Sequence, residues 1–174
     1  NNELRKMIAK VGVLPTADGS AMFAFGDTVA IAAVSGPRQL HPQHMQNPAK
    51  GILRCTYDLL SFSVYDRKRP GPSRRSTEIS KVTEWALSPA INLDEFPNQV
   101  VDVQIYILQA DAGTRTAGIN AASMALAQAG LPMKDLICSV AVGKNDKNIL
   151  ADLTKEEEDY EEGEGATDFA IAKL

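Results

Sequence analysis

The chain has 174 residues, 44% of them hydrophobic and 23% charged, with a formal net charge of -4 at neutral pH. Such a composition is ordinary for a soluble globular protein, and the length suits one domain with a sizeable core. No apolar run approaches the roughly 20 residues of a membrane span, and the start carries no signal-peptide pattern, which argues against a membrane partner.

Short apolar runs at Val11 to Leu14, Ala21 to Phe25 and Thr28 to Val34 predict strands, the last two joined by a tight Gly26-Asp27 hairpin. A loop rich in Pro, His and Gln follows from Gly36 to Lys50, and another strand runs from Ile52 to Leu60. His41 and His44 lie in that loop, but neither a Cys nor a third ligand stands at zinc-binding spacing. Cys55 and Cys138 sit far apart in apolar runs and read as buried free thiols, which favours a reducing compartment such as the cytoplasm.

Arg67, Lys68, Arg69, Arg74 and Arg75 crowd into nine residues stiffened by Pro70 and Pro72. Such a run is either a solvated loop or a contact to backbone phosphates. Ser76 or Thr77 is the expected N-cap of a helix through Leu93, and Ile79, Val82, Trp85, Ala86, Ala90 and Leu93 recur at roughly helical spacing as its buried stripe. Pro89 should kink or end it.

Val100 to Leu108 alternates as a strand, with Val101, Val103, Ile105 and Ile107 on one face. It runs into Gly113-Thr114-Arg115, and a helix made almost wholly of small residues opens directly from that turn. Unpaired N–H groups at a helix start, a hydroxyl and an arginine converge there, which describes an anion site; the plainer reading is an ordinary N-cap. Arg115 favours the anion site, because a first-turn arginine opposes the macrodipole unless an anion or carboxylate compensates it. The helix should end at Gly130, with Pro132 preventing its resumption.

Leu136 to Val142 and Asn148 to Leu153 suggest a hairpin joined through Gly143-Lys144-Asn145-Asp146. Seven acids between Glu156 and Glu164 form a run that is either solvated or the edge of a carboxylate site, and Asp168 to Ala172 begins one more strand. Strands mixed with two helices predict an α+β layer fold, one domain over residues 1–174.

Several of these segments carry a family resemblance. The run LQADAGTRTAGINAASMALAQAGLPMKDL (Leu108 to Leu136), preceded by ADGSAMFAFGDTVAIAAVSGPR (Ala17 to Arg38) and RKRPGPSRRSTEISK (Arg67 to Lys81), resembles the RNase PH family. Within it the likeness is nearest to catalytic RNase PH-like subunits of archaeal exosomes. The resemblance implies the RNase PH fold, related to the second domain of ribosomal protein S5, with a mixed sheet packed by helices. Relatives carry an Arg-x-Asp-Gly-Arg segment upstream of this sequence and further strands and helices beyond Leu174, which implies a domain incomplete at both ends.

The implied activity is phosphate-dependent 3′-to-5′ shortening of single-stranded RNA, with inorganic phosphate as co-substrate and nucleoside diphosphates as products. Gly113, Thr114 and Arg115 would bind the attacking phosphate, and Arg74 and Arg75 the RNA phosphates. Asp168 would be the catalytic carboxylate, as general acid or as a Mg²⁺ ligand. The family places a second aspartate six residues earlier, where this chain has Glu162; the nearest aspartate is Asp159, across an apparent insertion. Relatives use the His41–His44 loop near the RNA entry channel, implying a surface or RNA-stacking role. Implied partners are a related inactive subunit alternating in a hexameric ring, and RNA-binding cap subunits. The alternatives are a stand-alone RNase PH that trims tRNA 3′ ends and a non-catalytic RNA-binding ring subunit.

Overall fold

A computed structural model describes residues 4–66, 68–145, 148–158 and 167–173. The Gly26-Asp27 turn closes the antiparallel pair of β2 (Gly19–Phe25) and β3 (Thr28–Gln39), with Phe25 opposite Thr28. β1 (Met7–Val11) edges β2, while β3 pairs on its other side with β5 (Gln99–Gln109), which in turn runs parallel to β4 (Ile52–Leu59). A parallel pair needs a crossover, and helix α1 (Arg74–Leu87) lies within the connection and packs on β4. A second, antiparallel sheet has the order β7 (Asn148–Ala151), β6 (Cys138–Asn145), β8 (Thr167–Lys173), and the short helix α3 (Lys155–Glu158) follows β7.

Helix α2 (Thr114–Gln128) is the common wall of both sheets, touching β2, β3 and β5 as well as β6 and β8. Eleven of its 15 residues are buried. Its Ala, Gly and Ser positions leave no polar face for solvent and let the strands come close, as a helix enclosed on all sides requires. The main core joins Val103, Ile105 and Ile107 of β5 to Ala30, Ala32 and Val34 of β3 and Ala121, Ala122 and Leu126 of α2. The resulting mixed-sheet α+β architecture agrees with the expected fold class. Among the described residues, no helix is long and apolar enough to cross a membrane.

Several boundaries differ from expectation for identifiable reasons. β1 lies at Met7–Val11 and not, as expected, at Val11 to Leu14, where the Leu14 amide donates to Ser20 Oγ at 2.8 Å in place of a ladder partner. β3 continues past Val34 to Gln39, where Arg38 and Gln39 pair with Val100 and Gln99 beyond a register break at Gly36-Pro37; proline has no N–H for the ladder. β6 runs through Gly143 instead of turning there. That glycine lies flat on Leu153, whose Cδ1 would stand 1.8 Å from any Cβ at the position.

α1 is capped by Ser73, not by Ser76 or Thr77. Ser73 Oγ accepts from Ser76 N at 3.1 Å and Ser76 Oγ accepts from Ser73 N at 2.7 Å, a reciprocal capping box. The helix ends at Leu87, and Pro89 sits in a 3-10 turn, Ser88–Ala90, so the helix does not reach Leu93. Its buried face is Ser76, Ile79, Thr83 and Leu87, while Val82 and Trp85 are exposed. The helix approaches β4 closely enough for Tyr57 N to donate to Ser80 Oγ at 2.8 Å, so small hydroxyl residues share the inward face with Ile79 and Leu87 while Val82 and Trp85 turn outward. Cys55 is buried, and that burial pushes its thiol up to about 12, but Cys138 is exposed, contrary to the expected pair of buried thiols.

Candidate active site

Two helix starts open on one cleft of about 390 Å³, lined by Arg75 from α1, Gly113, Thr114 and Arg115 from the start of α2, and Lys68 and Lys155. The sequence places these groups on segments far apart. The β3–β5 and β4–β5 pairings and the packing of α1 and α2 bring them together.

The turn into α2 passes through two consecutive residues of positive φ, Ala112 at 54° and Gly113 at 63°. Glycine adopts that region without penalty, but for Ala112 it costs roughly 1–2 kcal/mol and persists only where neighbours enforce it. Thr28 Oγ1 lies 2.8 Å and 2.6 Å from the carbonyl oxygens of Asp111 and Ala112 and accepts from Asp111 N at 3.0 Å. Arg5 Nη1 donates to Asp111 O at 2.6 Å, while its Nε and Nη2 grip Asp152 at 3.0 and 2.6 Å. Burial alone would lower the Arg5 pKa; hydrogen bonding and attraction to Asp152, with help from Asp111, raise it instead. Thr28 and Arg5 therefore tie down the carbonyl side of the turn.

The amide side is different. Gly113 is the N-cap of α2 and no side chain caps it, whereas Ser73 and Ser76 cap α1. The first bond of α2 runs from Ala117 N to Gly113 O at 3.1 Å, so the amides before it have no acceptor within the helix. Arg75 and Arg115 each occupy the second position of their helix, and neither first turn contains an acid. Among the described residues neither arginine forms an ion pair. Two positive helix ends, each bearing an uncompensated cation, describe a receptor for negative charge.

Tyr57, on β4, adds a donor. It is 2% exposed, and its hydroxyl is buried without a hydrogen-bond partner among the described residues. Burial pushes the phenol up to about 12, while Thr114, Arg75 and Arg115 pull the other way; the ring packs on α2, where a Cβ at Gly118 would stand 3.3 Å from its Cε2. A buried O–H left unpaired costs about 1–3 kcal/mol, an expense that an anion oxygen would relieve.

Arg74 is exposed and does not line the cleft. Lys68 Nζ bonds Asp58 Oδ1 at 2.8 Å, and Lys155 Nζ lies 6.0 Å from the Tyr65 ring centroid. Asp168 belongs to β8, opposite Gly143 in register, and its side chain lies outside the described part of the structure. Asp159 and Glu162, like Arg67 of the basic run, lie outside the described residues. His41 and His44 are exposed at the 3-10 turn Gln43–Met45. Among the described residues no three His, Cys, Asp or Glu side chains are arranged to hold a metal ion. Sequence reading missed Tyr57, Lys155, Thr28 and the Arg5–Asp152 clamp; each acts only through a partner distant in sequence.

Residues 3–132 match the model described as the 3′ exoribonuclease family, domain 1, and the chain belongs to that family, the RNase PH family. The chain is also similar to particular members. It is 56% identical to exosome complex component Rrp41 of Thermococcus gammatolerans, over 99% of this chain and 68% of that protein. To exosome complex component Rrp41 of Archaeoglobus fulgidus it is 49% identical, over 98% of this chain and 65% of the relative. Among solved structures, rice Rrp46 superposes with a TM-score of 0.83 and 24% identity, covering 98% of this chain and 75% of that one. The Archaeoglobus fulgidus exosome with RNA bound to the active site gives a TM-score of 0.80 and 24% identity, covering 98% and 74%. At that identity the two structures show the shared fold.

Proposed function

We propose that the chain is a phosphate-dependent 3′-to-5′ exoribonuclease that shortens single-stranded RNA and releases nucleoside diphosphates, acting as the active subunit of an archaeal-type exosome ring. The observation that carries this reading is the convergence of two helix starts on one cleft, each with an arginine that has no acidic partner among the described residues. Phosphorolysis brings two anions together, so it needs a site richer in positive charge and N–H donors than hydrolysis does. The naming of the relatives as exosome complex components supports assembly in such a complex, and the reading adds a ring with a related inactive subunit, RNA-binding cap subunits and RNA as partners.

In this mechanism the amides at the start of α2, with Thr114 and Arg115, hold inorganic phosphate, and Tyr57 donates to it. Arg75, with Arg74 beside it, holds the RNA backbone so that the terminal phosphorus faces the bound phosphate. A phosphate oxygen attacks that phosphorus, the bond to the preceding 3′ oxygen breaks, and the nucleoside diphosphate departs. Asp168 and Asp159 are the proposed carboxylates, delivering the proton to the leaving 3′ oxygen or holding a Mg²⁺ ion that neutralises its charge.

The test is to incubate end-labelled single-stranded RNA with and without phosphate and identify the released nucleotide. Nucleoside diphosphates should appear only with phosphate, and Asp168→Asn should abolish both this release and the reverse extension of RNA by nucleoside diphosphates. Release of monophosphates in phosphate-free buffer would overturn the reading.

A further inference from the structure

Next to the phosphate cleft, and sharing Val64 and Ala110 with it, lies a larger cavity of about 640 Å³. Its walls are of the opposite kind. Phe62 and Tyr65, 73% and 99% exposed, stand on the segment after β4, and the carboxylates of Asp27, Asp111 and Glu156 line the same space. No Lys or Arg lines it among the described residues. Asp111 is shared with Arg5 Nη1 at 3.3 Å, but Asp27 and Glu156 form no ion pair among the described residues, so the space disfavours an anion. Their oxygens accept hydrogen bonds, and the two aromatic rings offer flat apolar faces.

Ser63, between the two aromatics, lines the same cavity, and its buried hydroxyl has no partner among the described residues. Lys155 joins the two spaces. It lines the phosphate cleft, while its ammonium lies over the Tyr65 ring at 6.0 Å. A ligand that fits both adjoining spaces has a negatively charged part and, next to it, an uncharged planar part carrying hydrogen-bond donors.

We infer that this second cavity is a nucleobase subsite, in which Tyr65 and Phe62 stack on a base of single-stranded RNA whose backbone phosphate lies in the adjoining cleft. The inference rests on the RNA reading above and adds where a base is held. Aromatic stacking is indifferent to base identity, which suits an enzyme that removes every nucleotide in turn.

The test uses the full chain in the oligomer it forms and measures equilibrium binding of a short single-stranded RNA without phosphate. One series of RNAs carries a single abasic nucleotide at successive positions from the 3′ end. One abasic position should weaken binding roughly 5- to 150-fold, and Tyr65→Ala should weaken binding of intact RNA by a similar factor. RNA abasic at that position should bind Tyr65→Ala no worse than it binds the unaltered chain, and Tyr65→Phe, which keeps the ring, should bind normally. Both aromatics are exposed, so their replacement leaves the core untouched. If the two penalties multiply instead of overlapping, or if Tyr65→Ala and Phe62→Ala both leave affinity within about twofold, the subsite is refuted. A chain that shows the overlap yet never consumes phosphate refutes the phosphorolytic reading alone. A chain that consumes phosphate while the aromatic substitutions are silent refutes the subsite alone.

Discussion

Arg75 and Arg115 stand at equivalent positions on two helices, yet the proposed roles give them different phosphates. Arg115→Ala removes a charge-assisted contact to the nucleophile, and turnover should fall by about 10²–10³ while RNA affinity changes little. Arg75→Ala should weaken RNA binding and reduce the slope of log affinity against log salt by about 0.7, the value for one single-strand contact. Binding isotherms at several salt concentrations, set beside phosphate titrations of the rate, separate the two; identical behaviour in both assays would contradict the assignment. Arg115 was legible in the sequence because a cation in a first helical turn conflicts with the local dipole, and Arg75 because it closes a stiffened basic run that the family resemblance makes an RNA contact. Tyr57 was not. It alternates like any strand residue, and its hydroxyl acquires meaning only where β4 meets the start of α2.

At the scale of elements, Asp102 on β5 binds together three strands, accepting hydrogen bonds from Arg38 on β3 and Arg54 on β4. Burial would raise its pKa, but the hydrogen bonds from Arg54 and Arg38 prevail and hold the carboxyl below its ordinary 3.8. A depressed carboxylate pKa gives stability that is complete above the unfolded-state value and disappears as pH falls through the folded-state value. Asp102→Asn should therefore cost on the order of 1–2 kcal/mol at pH 7, discounted because both arginines are more than half exposed. Urea unfolding at pH 7 and near pH 3 checks this, since the gap between the two proteins should narrow in acid; a gap that stays constant would exclude the ionised pairing as its source. Elements built on composition were readable in advance: α2, from its small residues and terminal Gly130, and β5, from its alternation. The inward face of α1 was misread because hydroxyl residues occupy it, and hydrophobic spacing cannot register a close approach made by Ser76, Ser80 and Thr83. β6 and its Gly143 were misread likewise, since the glycine answers to Leu153 across the layer and not to a turn.

At the scale of the whole molecule, α2 belongs to both sheets, so its interior opens only when the two layers part. Its first turn is exempt, because no side chain caps Gly113 and the amides preceding Ala117 find no acceptor in the helix. Amide hydrogens from Ala117 to Leu126 should accordingly exchange with solvent deuterium only by global unfolding, while those of Thr114, Arg115 and Thr116 exchange rapidly. Adding inorganic phosphate should slow the second set and leave the first unchanged, as followed by deuterium exchange across the helix. Slowing spread evenly along α2 would instead mean that phosphate stabilises the fold as a whole and has no particular seat. The uncapped turn thus works as an internal gauge of occupancy, reporting a filled site in a protein that is not turning over.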